Sequence, residues 1–135
     1  MICVNFGHPL TVEQVHQIET LCRLPIERVI EVTCQIDENE TIWPQISAIA
    51  DRAGLSTSQW QTLALIVIPP PLHIAATVLM AELHGRMGHF PSIVRFRSID
   101  NHQVVRFEVV EIVNLHEIRQ KARQMRGSVT NRTAS

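Results

Sequence analysis

The sequence lacks the features that mark membrane-spanning, disulfide-rich and zinc-binding proteins. No apolar run approaches the roughly 18 to 20 residues of a membrane helix, and the N-terminus has no basic segment of a signal peptide. The three cysteines, Cys3, Cys22 and Cys34, form no CxxC pair and have apolar neighbours, which indicates reduced thiols in the core. With 135 residues, we expect one cytoplasmic domain that has no membrane contact.

The common catalytic and cofactor motifs are also missing. The chain has no dinucleotide-binding GxGxxG, P-loop, GxSxG elbow or HExxH zinc motif. Its seven histidines are scattered, and His84 and His89 lack the spacing of a metal-binding pair on a helix. No two carboxylates are placed for paired acid–base work. These observations predict no metal and no cofactor, and they assign no catalytic residue.

Charge is nearly balanced in sum but unevenly distributed. The net charge of −1 argues against a protein that coats long nucleic acid, because such proteins carry a basic footprint over a whole face. Eight acidic residues and three arginines give residues 1–68 a net charge of −5, whereas nine basic and five acidic residues give residues 69–135 a net charge of +4. Eleven arginines stand against the single Lys121, a bias that suits bidentate phosphate contacts. We therefore expect the second half to meet an anionic ligand.

Hydrophobic periodicity predicts the element order β-α-β-α-β-α-β-β-α. Thr11 followed by Gln14 has the pattern of a capping box, Gly54 ends the second helix, and the proline run 69–71 ends the third strand. Residues 55–61 are expected to form a turn or a one-turn helix, and residues 100–103 a turn. Predicted strands cover 1–6, 28–35, 62–68, 92–99 and 104–113, and predicted helices cover 12–23, 42–53, 72–84 and 115–125.

This order favours an α/β fold that is Rossmann-like, with a mainly parallel sheet flanked by helices and a C-terminal antiparallel β-hairpin. The domain would span residues 1–126, and residues 127–135 would form a flexible polar tail. Ligands of such open sheets bind beyond the carboxyl ends of the strands. The geometry is expected to bring together the segments 5–8, 69–71 and 84–89.

The stretch from Glu82 to Arg97 has the composition of an anion-binding loop. Between His84 and Arg97 it contains three arginines, two histidines and no acid, and Gly85 and Gly88 leave the backbone open to a ligand. The alternative interpretation is that one glycine is a helix C-cap and that the arginines lie on a solvated strand face.

An RNA-like ligand would also permit cleavage without a metal. A ribose 2′-OH held in line attacks its own phosphate, Arg86 stabilises the developing charge, and His84 or His89 moves a proton. The same positioning groups would suffice for a protein that binds the phosphate and never cuts it. The residues leave both possibilities open.

Four segments together resemble the CRISPR-associated Csx-fifteen family: Asn5-Phe-Gly-His-Pro-Leu-Thr11, the proline run 69–71, Ala81-Glu-Leu-His-Gly-Arg-Met-Gly-His-Phe-Pro91 and Glu111-Ile-Val-Asn-Leu115. The likeness covers about residues 1–125. Family members are small CARF-like, Rossmann-like proteins encoded beside type III CRISPR systems, which signal with cyclic oligoadenylates. The resemblance implies a cyclic oligoadenylate ligand, with the tetramer as first choice, and a homodimer that holds the ring across its two-fold axis. By the same resemblance, these residues lie near the ligand: Asn5, Phe6, Gly7, His8, Pro69, Pro70, His84, Gly85, Arg86, Met87, Gly88 and His89.

The first functional hypothesis is sequestration, in which the protein lowers the free cyclic tetra-adenylate of antiviral signalling by holding it. One alternative is a metal-independent ring nuclease that cleaves the same ring through 2′-OH attack. Another is a structural or protein-interaction module whose interface is the apolar helix 72–84. The expected partners are the ring and a second copy of the chain, with higher assembly on ligand binding, and neither a membrane nor long nucleic acid.

Overall fold

Strands and helices alternate along most of the chain, as the hydrophobic periodicity predicts. A computed structural model describes residues 1–101 and 104–134, with the backbone alone described at 100, 101 and 128–134. The predicted turn at 100–103 therefore lies partly outside the described residues. In chain order the elements are β1 Ile2–Asn5, α1 Val12–Cys22, β2 Arg28–Glu31, α2 Ile42–Asp51, α3 Thr57–Thr62, β3 Leu65–Ile68, α4 His73–Met87, β4 Ser92–Asn101, β5 Val104–Asn114 and α5 Leu115–Ala134.

The strands form a five-stranded sheet in the order β2-β1-β3-β4-β5. β1 pairs in parallel with β2 and β3, β3 pairs in parallel with β4, and β4 pairs antiparallel with β5. The predicted α/β class, with a mostly parallel sheet and a C-terminal antiparallel hairpin, is confirmed.

Helices cover both faces of the sheet. On one face, α2, α3 and α4 pack against Val4 and Val67 in a core that includes the buried Trp60. On the other face, α1 contributes Ile18 to a smaller core around Cys3. Alternate residues of the central strands thus serve opposite cores, which explains why these strands are apolar without interruption.

The three cysteines are free, and none forms a disulfide. Burial raises the pKa of the Cys3 thiol to about 12, and the neighbouring Glu31 and Cys22 add to this effect. Burial also raises the pKa of the half-buried Cys22 and Cys34. All three thiols are therefore protonated near neutral pH and behave as small apolar side chains, in agreement with their predicted core role.

Two helices end later than predicted. α4 passes through Gly85 and ends at Met87, because Gly88 is the residue that adopts the left-handed conformation, with a φ of 82°. α5 continues through Gly127 to Ala134, so the predicted helix end at residue 125 is wrong. The polar segment predicted as a tail is helical up to residue 134, and Ser135 lies outside the described residues.

The β4–β5 hairpin extends far beyond the short strands beside it. β4 pairs with β3 only through Ser92 and Ile93, so residues 94–101 continue past the carboxyl end of β3. At the rise of a β-strand, this extension is about 25 Å long. A register shift beside Arg95 and Phe96 adds a local bend. The hairpin therefore projects beyond the carboxyl ends of β1 and β3.

Side chains of α1 hold this hairpin in place. Gln14 completes the predicted capping box with Thr11, and its Nε2 also donates to the Phe107 carbonyl oxygen at 3.0 Å. Oε1 of Gln17 accepts the backbone N–H of Val109 at 2.9 Å. β5 is an edge strand, and these bonds occupy backbone groups that an open edge would offer to another chain.

Candidate functional site

The carboxyl ends of β1 and β3 lie side by side at the centre of the sheet. Asn5 and Ile68, the last residues of these strands, are partners in the register. The chain leaves β1 toward α1 on one face and leaves β3 toward α4 on the other. In open α/β sheets this divergence opens a crevice in which ligands bind.

A cavity of about 300 Å³ occupies this crevice. We call it the switch-point cavity, because it lies at the point where the chain leaves β1 and β3 toward opposite faces of the sheet. Its walls are the loop after β1, the proline run after β3 and the hairpin. Most of the lining is apolar, and its polar side chains are those of His8 and Gln14, which suits a flat heterocycle better than a bare phosphate. The lining residues are Gly7, His8, Pro9, Gln14, Ile68, Pro69, Pro71, Phe96 and Phe107.

Part of the predicted ligand site lies at this cavity. Gly7, His8 and Pro69 line it. Asn5, Phe6 and Pro70 adjoin it in sequence but are buried, and Phe6 packs into the core beneath α2 and α4. Their predicted contact with a ligand remains a prediction.

The aromatic wall is the part of the cavity that sequence reasoning missed. Phe96 and Phe107 lie at alternating positions of the predicted hairpin, on the face that carries the buried Val94 and Val109. Phe107 is nevertheless 56% exposed. The sequence did contain a signal for this wall. Phe107 alternates in phase with the core-facing residues of the hairpin but lies close to the exposed end of the hairpin.

The side chain of Asn5 shapes the loop after β1. Its Oδ1 accepts the backbone N–H of Gly7 at 2.8 Å, and its Nδ2 donates to the His8 carbonyl oxygen at 2.8 Å and to Glu31 Oε2 at 3.1 Å. The residue is fully buried, so these bonds replace the water it loses. Asn5 therefore acts as the scaffold of the cavity wall.

Gly7 allows this loop to approach β3 closely. A Cβ atom at this position would lie 3.1 Å from the Pro69 carbonyl oxygen and 3.2 Å from Cγ2 of Ile68. Both neighbours are held by the sheet and by the proline run. A glycine is consequently required where the two loops that line the cavity meet.

The segment 84–89 lies at the opposite ends of the strands. We call this side of the sheet, where the parallel strands begin, the amino edge. α4 begins beside the carboxyl end of β3 and must run back toward the amino end of β4, because β4 is parallel to β3. The expectation that this segment joins 5–8 and 69–71 is therefore wrong. Gly85 lies inside α4 and Gly88 caps its end, which confirms the alternative interpretation of a helix C-cap.

Arg86 is engaged by acidic and polar partners and lies outside the switch-point cavity. Its Nη1 lies 2.9 Å from Asp51 Oδ1, its Nη2 lies 3.1 Å from Glu82 Oε1, and Nη2 also donates to the Ser47 carbonyl oxygen at 3.0 Å. These contacts tie α4 to α2. The signal in the sequence was the Glu82–Arg86 pair at i, i+4, the usual spacing of an ion pair on a helix.

Glu82 is the centre of this network. Trp43 Nε1 donates to its Oε2 at 2.9 Å, and Arg86 Nε donates to its Oε1 at 3.1 Å. Burial raises the pKa of this carboxyl, but hydrogen bonds from Trp43, Arg86 and Ser47 and the charge of Arg86 outweigh burial and lower the pKa below its usual 4.5. The ionised form is therefore the one that the fold stabilises.

The two remaining arginines of the predicted anion-binding loop also have acidic partners. Arg95 pairs with Glu111 and Arg97 pairs with Glu108, in both cases across the hairpin. The local excess of positive charge that the sequence indicates between 84 and 97 is thus neutralised by residues distant in the chain. This pairing agrees with the alternative interpretation that the arginines lie on a strand face.

A second cavity, of about 580 Å³, lies at the amino edge. His89 and His116 line it, with ring centroids 5.7 Å apart and ring planes at 70°. Nδ1 of His89 lies 3.0 Å from the Phe90 carbonyl oxygen, and Nδ1 of His116 is buried without a hydrogen-bond partner among the described residues. His84 stacks on Phe90 at 4.2 Å. Sequence reasoning had not singled out His116, which lies far from His89 in the chain.

The chain matches no protein-family model, and comparison with curated proteins and with solved structures finds no significant similarity. Within residues 1–101 and 104–134, no three His, Cys, Asp or Glu side chains lie together as ligands of a metal ion. None of the described helices is long and apolar enough to cross a membrane.

Arg86→Ala is expected to lower the free energy of unfolding by about 1 to 3 kcal/mol, because it leaves the partly buried Glu82 without its cation. The control Arg95→Ala removes one half of an exposed pair and should cost about 0 to 1 kcal/mol. Urea unfolding at neutral pH measures both. Equal losses would contradict the structural role of Arg86.

The same network predicts that the effect of Arg86→Ala on the free energy of unfolding depends on pH. The pKa of Glu82 is lowered in the folded state. Its ionised form therefore adds to the free energy of unfolding above the unfolded pKa, and this stabilisation is lost as the pH falls through the folded pKa. The stability difference between wild type and Arg86→Ala should therefore shrink in acid. A constant difference between pH 7 and pH 3 would contradict this coupling.

Gly7→Ala is expected to destabilise the protein by about 1 to 3 kcal/mol, because the new methyl group meets the Pro69 carbonyl oxygen and Ile68. Gly85→Ala is the matched control, since Gly85 lies inside α4 with open space around it and alanine should stabilise the helix by about 0.5 to 1 kcal/mol. Thermal and urea unfolding measure whether each substitution lowers or raises the stability. A neutral Gly7→Ala would show that the loops do not approach as closely as described.

Proposed function

We propose that the switch-point cavity binds an adenine nucleotide unit of a cyclic oligoadenylate, with cyclic tetra-adenylate as the first candidate, and that the protein lowers the free ring by sequestration. The single observation that carries the proposal is the apolar, phenylalanine-lined cavity at the switch point, which includes Gly7, His8 and Pro69 from the predicted site. The resemblance to the Csx-fifteen family supplies the identity of the ring and remains a prediction.

The character of the lining supports recognition of a base. An adenine presents two flat apolar faces, and Phe96, Phe107 and the two lining prolines offer apolar surface to them. Stacking of a base on an aromatic side chain contributes about 1 to 3 kcal/mol. Among the lining side chains, His8 and Gln14 carry polar groups, and the Gln14 amide already bonds to Thr11 and Phe107, so the His8 ring is the first candidate for distinguishing one base from another.

The size of the cavity supports a role for two subunits. About 300 Å³ is at the lower end of small-molecule sites and fits one nucleotide unit, not a ring of four. A ring with two-fold symmetry is matched by a pair of identical cavities related by the same symmetry. We therefore include a homodimer in the proposal, with each copy holding one base or more of the ring.

The titratable groups around the cavity favour binding without cleavage. Among the lining residues, all of which are described, His8 carries the one imidazole, and none is an aspartate, glutamate, lysine or cysteine. In-line cleavage by general acid–base catalysis needs one group to take a proton and another to give one. The lining of one cavity supplies a single imidazole, so it supports binding of the ring rather than acid–base cleavage.

Phe107→Ala is expected to weaken binding of cyclic tetra-adenylate by about tenfold or more, because it removes a stacking surface. Val104→Ala is the matched control, since Val104 is an exposed apolar residue on the opposite face of β5. Isothermal titration calorimetry with the intact ring gives both affinities. Equal affinity of Phe107→Ala and wild type would remove the hairpin from the site.

Cleavage of the same ring is the second candidate, because two imidazoles share the amino-edge cavity. One would take the proton of a ribose 2′-OH as its oxygen bonds to phosphorus. The other would give a proton to the departing 5′ oxygen, which leaves a 2′,3′-cyclic phosphate and a 5′-hydroxyl. This route assigns His116 and His89 to the chemistry and leaves the switch-point cavity without a part in it.

Incubation of excess labelled ring with a small amount of protein separates the two candidates. Sequestration predicts that captured ring saturates near the protein concentration and is recovered intact. Product in large excess over protein, abolished by His116→Gln but not by the exposed control His16→Gln, would contradict sequestration and establish cleavage.

A further inference from the structure

The excess positive charge of the second half lies on α5. Four arginines and four acidic residues give residues 69–114 a net charge of zero, whereas five basic residues against Glu117 give residues 115–135 a net charge of +4. Three of the four arginines before the helix, Arg86, Arg95 and Arg97, form ion pairs with acidic residues. The net positive charge of the second half therefore belongs to residues 115–135.

Two arginines of α5, Arg119 and Arg123, have no acidic partner among the described residues. The one ion pair described on this helix joins Lys121 to Glu117, at 2.7 Å. Among the described residues, no carboxylate pairs with Arg119 or Arg123. Both side chains are exposed, so their guanidinium groups remain available to a ligand.

Three arginines form one stripe along the helix. Arg119, Arg123 and Arg126 follow the spacing i, i+4, i+7 and line a shallow depression of about 290 Å³ together with Ala122. The stripe is about 10 Å long at the rise of an α-helix. Because Ala122 has a short side chain, an oxyanion can approach the helix between the guanidinium groups.

An apolar stripe lies next to the arginines. Ile118 and Met125 are 53% and 67% exposed and flank Ala122, whereas Gln120 and Gln124 lie on the opposite side of the helix. This stripe is one residue wide, which is too narrow to fill the apolar groove of a partner protein. It offers apolar contact to the bases or sugars of a strand whose phosphates bind to the arginines.

We propose that α5 is a binding site for the phosphodiester backbone of single-stranded nucleic acid, separate from the switch-point cavity. Arginine provides the planar fork that binds two oxygens of a phosphate at once. The site contacts only a few phosphates, which is consistent with a protein of net charge −1 that does not coat a long strand. The proposal does not depend on the identity of the ligand in the switch-point cavity.

Fluorescence anisotropy of a labelled uridine oligoribonucleotide of about 20 nucleotides, measured between about 50 and 200 mM salt, tests the site. Two phosphate contacts, at Arg119 and Arg123, predict that the logarithm of the association constant falls with the logarithm of salt concentration with a slope of about −1.4. Arg119→Ala/Arg123→Ala should weaken binding by about tenfold or more and make the slope shallower by about 1.4.

The matched control is Arg28→Ala, an exposed arginine on the distant edge strand β2. It should leave affinity and slope unchanged. Arg119→Lys/Arg123→Lys keeps the charge and removes the fork, so its affinity should lie between those of wild type and the alanine pair. Circular dichroism checks that each variant keeps the helix.

Absence of RNA binding at low salt, or binding that the alanine pair leaves unchanged, would overturn the proposal. Tighter binding to poly-glutamate than to the RNA would assign the stripe to an acidic protein. Binding to phosphatidylserine vesicles without binding to RNA would assign it to a membrane surface. Calorimetry with cyclic tetra-adenylate is run separately from the RNA assay, so failure of this site and failure of the adenine cavity are separately visible.

Discussion

The buried amide of Asn5 is the interaction on which the switch-point cavity depends. Its hydrogen bonds to Gly7, His8 and Glu31 join the end of β1 to the loop that follows and to the neighbouring strand. A buried amide that lost these partners would carry the full cost of its lost hydration. The loop is therefore held in one conformation, and Gly7 can rest against the end of β3.

The hairpin completes the cavity from the other end of the chain. Gln14 and Gln17 of α1 bond to the backbone of β5, which is about 90 residues away in sequence. These bonds place Phe107 opposite the loop that Asn5 shapes. The cavity thus needs both the loop after β1 and the C-terminal hairpin, and the two glutamines that bond to the backbone of the edge strand also position the aromatic wall.

Electrostatics divides the surface into three regions. The switch-point cavity is mostly apolar, α4 and the hairpin carry Arg86 and Arg97 already paired with acids, and α5 carries Arg119 and Arg123, which have no acidic partner among the described residues. The proposed base site and the proposed phosphate site therefore lie on different parts of the molecule. This separation is why the two proposals can be tested independently.

The sequence alone determined the order of the helices and strands and the fold class. The buried runs of β1 and β3, the Thr11–Gln14 capping box and the period-two hairpin are local patterns, because a few neighbouring side chains set each of them. Only the tertiary structure decided where the chemistry lies. A crossover helix carried Arg86 to the edge opposite Asn5, and acids remote in sequence neutralised the arginines of the predicted loop. Charges and apolar walls act through space, and the distances that govern them exist only once the chain is folded.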